Sequence, residues 1–339
     1  MEDVRGRFVW HQLMTRDVPG AKKFYSKLVG WKTMPWPLDP AYTVCHSDAG
    51  PVAGIMEIPA EAPADFPSHW VNYIGTRDVD GTADAAVRAG GSVIKPPSDM
   101  QGAGRYAVIK DPLGAPFAII DPENARAEAQ GPPPLGTFSW HELATTDNEA
   151  AFAFYSNLFG WDVLQRMDMG PGVGVYLIFG QNGVQRGGIY NKPAEAPGPP
   201  FWLPYAHVPS ADKGFAYATS AGGKEIIKPM DVPGGGRIAN VFDPSGAAFA
   251  MHSMPAAPAA AAAPEAAAPA KPKPKAKAKA KATAKPKAKA AVKPAAKKKV
   301  VKKAAKKAAR KVARKASKAA PKKKAAAKKG KKSGARRKK

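Results

Sequence analysis

Large apolar residues fall on two alternating periods over residues 8–31. Phe8, Trp10 and Gln12 alternate with the period of a strand, and Asp17 then stands where a helix N-cap accepts backbone N–H bonds. Ala21, Phe24, Tyr25 and Leu28 follow at i, i+3, i+4 and i+7, one apolar helical face, with Gly30 placed for the left-handed C′ position. The same β-α pattern returns at 138–161. A constant offset of 130 superposes Phe8, Trp10, His11, Leu13, Thr15, Asp17, Ala21, Phe24, Tyr25, Leu28, Gly30 and Trp31 on identical residues without a gap.

After each copy the pattern returns to short strands. In the first half, 42–46 and 52–58 are apolar runs separated by turn residues, and PAEAPADFP from Pro59 reads as a connector. A second β-α start follows, with a strand at 70–76 and a helix at 80–89 that ends at Gly90-Gly91. Strands at 92–95, 105–110 and 116–120 complete it. The second half repeats the order, with PAEAP again at Pro193, Gly222-Gly223 matching Gly90-Gly91, and Asp243-Pro244-Ser245-Gly246 matching Asp111-Pro112-Leu113-Gly114. The expected class is α+β: four βαβββ modules in two tandem domains, 5–122 and 136–254, joined by a linker at 123–135. The two domains are expected to be independent, and a protease is expected to cut the Gly/Pro-rich linker between them.

Charge separates the end of the chain from this body. Residues 256–339 hold 33 of the 53 Lys and Arg and a single acid, Glu265, a balance of +32, which leaves −6 on residues 1–255. This segment has no aromatic residue and few large aliphatics, so 255–339 is expected to be disordered when free. Cys45 is the only cysteine, which excludes an internal disulfide framework and a thiolate metal cluster. No run approaches the roughly 20 apolar residues of a membrane span. A soluble, cytoplasmic protein without a membrane partner is expected, and a homodimer is left open.

WHxLxTxD, FYxxLxGW, the mid-domain PAEAP, the double glycine and the late DPxGxxF together resemble the vicinal oxygen chelate superfamily, which includes glyoxalase I, bleomycin-resistance proteins and extradiol dioxygenases. The resemblance covers about residues 5–254 and is strongest to tandem glyoxalase-like members. It implies paired βαβββ modules whose curved sheets form cups, usually around one divalent metal with His and Glu ligands. Its ligand positions fall here on Trp10, Val71 and Ala118 in the first half and on Trp140, Leu203 and Ala250 in the second; none of these can ligate zinc, iron or manganese. Glu57, with Asn191 as its counterpart, is the candidate for the remaining slot. Neither a metal nor a cofactor is therefore expected.

Strand parity turns His11 and His141 away from the cups, as hydrogen-bonded structural residues, and turns Trp10, Gln12, Trp140 and Glu142 inwards. The ligand pocket is expected at Trp10, Gln12, Tyr73, Trp140, Glu142, Tyr205 and His207. The second cup is the more polar, and Glu142, His207 and His252 are its candidates for a displaced metal site or an acid/base pair. Gly102 to Gly104 and Gly234 to Gly236 precede strands and do not open helices, so they do not signal nucleotide binding.

The basic segment has its own grammar. Residues 255–269 are Pro/Ala-rich, and 295–320 contain no proline and alternate paired basic with small apolar residues about once per helical turn. Its composition resembles the C-terminal domain of linker histones and bacterial lysine/alanine-rich histone-like proteins. Lys297, Lys298, Lys299, Lys302, Lys303, Lys306, Lys307, Arg310, Lys311, Arg314, Lys315 and Lys318 are the expected contacts to DNA or another polyanion, without sequence readout. Two functions stay open for the body: a metal-free small-molecule binding module carried on the nucleoid, or a glyoxalase- or dioxygenase-type enzyme with altered ligands in the second cup.

Overall fold

The computed structural model describes residues 3–128, 131–171, 173–196 and 198–255. The basic segment at 256–339, with every residue expected to contact nucleic acid, lies outside the described residues.

Four βαβββ modules follow one another. The first comprises β1 (Phe8–Thr15), α1 (Val18–Leu28), β2 (Lys32–Trp36), β3 (Asp39–Ser47) and β4 (Gly50–Glu57). The second comprises β5 (His69–Gly75), α2 (Val79–Arg88), β6 (Ser92–Met100), β7 (Gly104–Lys110) and β8 (Pro116–Pro122). The third comprises β9 (Phe138–Thr145), α3 (Asn148–Phe159), β10 (Asp162–Asp168), β11 (Val175–Gln181) and β12 (Val184–Asn191). The fourth comprises β13 (Phe201–His207), α4 (Ala211–Ser220), β14 (Lys224–Asp231), β15 (Arg237–Phe242) and β16 (Ala248–Ser253). Modules one and two form a sheet in the order β2-β3-β4-β1-β5-β8-β7-β6, and modules three and four repeat it as β10-β11-β12-β9-β13-β16-β15-β14. Each cup is thus built within one half of the chain.

Local chemistry sets the helix ends as the sequence indicates. Asp17 accepts from Gly20 N at 2.8 Å and Asp147 from Ala150 N at 3.0 Å, each satisfying an orphan donor. Gly30 and Gly160 take φ of 88° and 70°, which lets the chain turn into β2 and β10. β6 runs past its expected end at 95 to Met100, through Pro96 and Pro97. It is an edge strand with two register shifts against β7, the setting in which a strand tolerates proline.

Strand parity holds in β1 from Trp10 onwards and fails just before it. A register shift between Phe8 and Trp10 against β5, repeated between Phe138 and Trp140 against β13, marks a bulge at Val9 and Ser139. Phe8 therefore does not share the cup face with Trp10. It stacks on His141 of the other half at 3.7 Å, and Phe138 stacks on His11 at the same distance.

The helix-side core joins the two halves. Leu13, Phe24, Tyr25, Leu28 and Trp31 of module one share a buried cluster with Val208, Ala211, Val241, Phe249 and Met251 of module four. Modules two and three share the reciprocal cluster, centred on Ile74, Ile109, Phe117, Phe154, Tyr155 and Trp161. Trp31 Nε1 donates to the Gly136 carbonyl at 2.7 Å, and Trp161 Nε1 to that of Gly6 at 2.8 Å. The expected independence of the domains is thereby corrected: the halves belong to one compact unit, because each helix-side core mixes residues of both halves. The linker is pinned as well, by Arg126 to the Ala49 carbonyl, Glu128 to Arg186 and His207 to the Pro133 carbonyl.

Candidate functional site

The floor of the first cup is a row of side chains fixed by strand register. Trp10 of β1 lies beside Tyr73 of β5, which lies beside Ala118 of β8; one step along, Gln12 lies between Gly54 and Val71. Gly54 has no side chain to lift, and Tyr42 from β3 lies across it, where a Cβ would collide with the phenol. Trp10 Nε1 donates to Tyr42 Oη at 2.9 Å. Tyr42 and Tyr73 donate to Gln12 Oε1 at 3.3 and 3.2 Å, while Gln12 Nε2 donates to the thioethers of Met14 and Met56 at 3.0 and 2.8 Å. Burial raises the pKa of both tyrosines, so they act as neutral donors.

Above this floor lies a cavity of about 650 Å³, walled by Trp10, Trp36, Tyr42, Tyr73, Tyr106, Met34 and Met100, with Arg7 and Arg126 among its lining residues. Arg7 donates to the Arg126 carbonyl at 2.8 Å and Arg126 to that of Ala49 at 3.1 Å, which holds both guanidinium groups in place. A more open groove of about 740 Å³ runs beside it along Arg77, Asp99, Arg105, Asp121 and Glu123. There Arg105 is tied to Asp80 and Asp99, and Arg77 to Asp121, so its charge is spent internally. Cys45 lies buried on the helix side with its thiol pushed up to about 12, and it is no nucleophile.

The second cup repeats the floor with different chemistry. Trp140 Nε1 donates to Tyr176 Oη at 3.0 Å, Tyr176 donates to Glu142 Oε2 at 2.9 Å, and Tyr205 donates to Glu142 Oε1 at 3.0 Å. Burial raises the carboxyl pKa of Glu142, against the two tyrosine bonds that lower it. Tyr176 lies across Gly188 as Tyr42 lies across Gly54.

The structure brings Trp140, Glu142 and Tyr205 together and separates them from the histidines. Glu142 faces Leu203 in β13, whereas His207 is four residues further along that strand, roughly 13 Å at strand rise. His207 Nδ1 donates to the Pro133 carbonyl at 2.7 Å. His252, paired with His207 in register, meets Ser139 Oγ at 3.0 Å. Burial, then His207, lowers its pKa. The three candidates do not converge on one atom, which corrects the displaced-site expectation and removes His207 from the pocket floor. Among the described residues no three His, Cys, Asp or Glu side chains group so as to hold a metal ion.

The positions at which the resemblance implies metal ligands do face the cups. Trp10, Val71 and Ala118 share one apolar cluster, and Trp140, Leu203 and Ala250 share the other. Glu57 is exposed at the end of β4, and Asn191 is taken by the Asn148 backbone N–H at 2.7 Å. This donor set does not fit a divalent ion.

Sequence reasoning missed Tyr42, Trp36 and Tyr106 in the first cup and Tyr176 and Tyr190 in the second. A signal was present for one pair: Tyr42 and Tyr176 stand 134 residues apart, as do Gly54 and Gly188 beneath them.

The family profile described as Glyoxalase/Bleomycin resistance protein/Dioxygenase superfamily matches residues 7–119 and 137–251. The chain is 35% identical over 246 residues to CFP32 of Mycobacterium tuberculosis, covering 71% of this chain and 92% of that protein. It is 31% identical over 261 residues to the anthracycline biosynthesis protein DnrV of Streptomyces peucetius, covering 73% and 92% respectively. Among solved structures, a Mn(II)-bound glyoxalase from Novosphingobium aromaticivorans superposes with a TM-score of 0.51 at 17% identity, covering 74% of this chain and 82% of that one. The 2,3-dioxygenase LapB from a Pseudomonas species gives 0.52 at 12% identity, covering 78% and 98%. At these identities the structural likeness is one of fold.

Proposed function

The chain belongs to the Glyoxalase/Bleomycin resistance protein/Dioxygenase superfamily, and we propose that it binds a planar aromatic molecule in its first cup without a metal. The observation that carries this is the 650 Å³ cavity itself: five large aromatic side chains and two thioethers are among its walls, and its floor holds Trp10 and Ala118 where the resemblance implies metal ligands. Flat rings gain offset or edge-to-face contacts there, about 0.5–1.5 kcal/mol per aromatic pair beyond area burial. Arg7 and Arg126 favour an acidic substituent pointing outwards. The name of DnrV, an anthracycline biosynthesis protein, supports a polycyclic ligand. Anthraquinone-2-sulfonate serves as probe: it should quench tryptophan emission in the wild type, with Trp10→Phe combined with Trp36→Phe removing most of the change. Quenching that survives both replacements places the ligand elsewhere.

The basic C-terminal segment supports a second role on its own composition. Thirty-three cations on 84 residues, with one acid, release counterions from a polyanion, and DNA without sequence preference is the partner proposed. The segment would carry the binding module to nucleic acid.

A further inference from the structure

The two cups differ at one equivalent position in a way that folding does not require. Gln12 and Glu142 stand 130 residues apart and are gripped alike, each by a pair of tyrosine hydroxyls. In the first cup an amide takes both hydroxyls on Oε1, with its NH2 on two thioethers, whereas the second cup places a carboxylate there and takes one hydroxyl on each oxygen. The hydroxyl protons there have fixed directions. Trp140 Nε1 can only donate and gives its proton to Tyr176 Oη; Asn240 Nδ2 gives one to Tyr205 Oη at 3.2 Å. Both phenolic protons are thus turned onto Glu142, one on each oxygen, the arrangement that suits an ionised carboxylate. Its hydrogen-bond partners are both neutral, and a partly desolvated anion whose neighbours are neutral is costly.

The surroundings change in step with the charge. In the first cup Met14 and Met56 close over the amide nitrogen. The matching residues of the second cup are Ala144 and Tyr190, so two thioethers give way to a methyl group and an aromatic ring. Tyr190 stacks on Tyr176 at 6.0 Å between ring centres. Trp140, Glu142, Tyr176 and Tyr190 are each only half-buried, whereas Tyr205 behind them is buried. Aromatic faces around a desolvated carboxylate make the chemistry that recognises an organic ammonium ion, through charge and through cation–π attraction.

We propose that the second cup is a separate site for an organic cation, a quaternary or protonated amine, seated against Glu142 and walled by Trp140, Tyr176 and Tyr190. This site stands on its own residues and is independent of the aromatic ligand assigned to the first cup. Choline and its uncharged isostere 3,3-dimethyl-1-butanol are the probes, titrated calorimetrically into the full chain at constant ionic strength. Choline should bind roughly tenfold more tightly than the alcohol. Glu142→Gln, which removes the charge and retains an oxygen acceptor for the tyrosines, should abolish that preference, and Tyr190→Ala should weaken choline. Trp10→Ala should leave choline binding unchanged, which separates this site from the first cup. Affinity should fall on acidification as Glu142 takes up a proton; Tyr176, Tyr190 and Tyr205, the titratable groups that face it, stay neutral throughout. Equal affinity for the two probes, or choline binding that survives Glu142→Gln unchanged, overturns the proposal.

Discussion

Tyr25 donates its hydroxyl proton to Asp243 Oδ2 in the opposite half of the chain at 2.8 Å, and Tyr155 returns the bond to Asp111 Oδ2 at 3.0 Å. Each aspartate meanwhile uses Oδ1 to close its own turn, on Leu113 N and Ala115 N or on Ser245 N and Ala247 N. Each tyrosine also accepts from a tryptophan, Trp70 or Trp202. The tyrosine of FYxxLxGW and the aspartate of DPxG are thus one device, repeated by the duplication and crossed between halves.

Removing the hydroxyls leaves a buried carboxylate oxygen and an indole N–H without partners. Tyr25→Phe and Tyr155→Phe should each lower stability by about 1–3 kcal/mol, read from the midpoint of chemical denaturation. The double variant should lose cooperativity between halves; unchanged midpoints would reduce the crossed bonds to incidental contacts.

Shared cores predict how the body breaks. Residues 5–122 made alone would expose Phe24, Tyr25, Leu28 and Trp31, at roughly 1.5–3 kcal/mol for each large side chain. That fragment should be insoluble or molten by near-ultraviolet dichroism, and co-expression with 136–254 should rescue it. A sharp, independent melting transition in the isolated fragment would argue against the crossed core.

His11 Nε2 and His141 Nε2 meet at 2.7 Å between the halves. His141 Nδ1 donates to the Arg186 carbonyl, and a backbone hydrogen bond to Val52 engages His11 at the equivalent place. Burial, then the neighbouring imidazole, holds His11 well below its ordinary value, and burial holds His141 at about 3. The unfolded chain therefore binds more protons below its own histidine pKa near 6.5, and the stabilising contribution, complete above that pH, is lost as pH falls towards 3. Each ring contributes a slope of up to about 1.4 kcal/mol per pH unit. Between pH 7 and 5 the wild type should lose more melting temperature than His11→Leu/His141→Leu; parallel curves would contradict this assignment.

The crossed architecture was only partly legible in the sequence. The duplication, the helix faces and the caps could be read, because they repeat with fixed spacing and rest on local rules. The partner of each helix face could not, since Tyr25 and Asp243 lie 218 residues apart and nothing local couples them. β2 carries KTMPW, a largely exposed run with a proline, and left no period to detect. In the sites, parity placed Trp10, Gln12, Trp140 and Glu142 on the cup floors. It gave no view of Tyr42 and Tyr176, which reach in from other strands, and it weighted the histidines of the second cup over the aromatic cavity of the first.

Gly54→Ala isolates the tyrosine that lies across the floor. A methyl group there displaces Tyr42, and with it the acceptor of the Trp10 indole proton. Anthraquinone-2-sulfonate binding should weaken about tenfold or more, while choline binding in the second cup is retained. Intact binding of the sulfonate would remove Tyr42 from the site.

The basic segment should make DNA affinity fall steeply with salt, close to one unit of log-log slope for each phosphate neutralised. A chain ending at Pro255 should lose binding, since residues 1–255 carry a balance of −6. Comparable affinity without the segment would assign nucleic-acid contact to the body.

Metal independence of the first cup is the central claim, and titration of the full chain with anthraquinone-2-sulfonate after exhaustive EDTA dialysis tests it most directly. One site should be filled with an affinity that added Mn²⁺ or Zn²⁺ does not change, and Trp10→Ala or Tyr73→Ala should weaken it about tenfold or more. Binding that appears only when a divalent ion is restored, or that follows Glu142→Gln and ignores Trp10→Ala, would contradict the account.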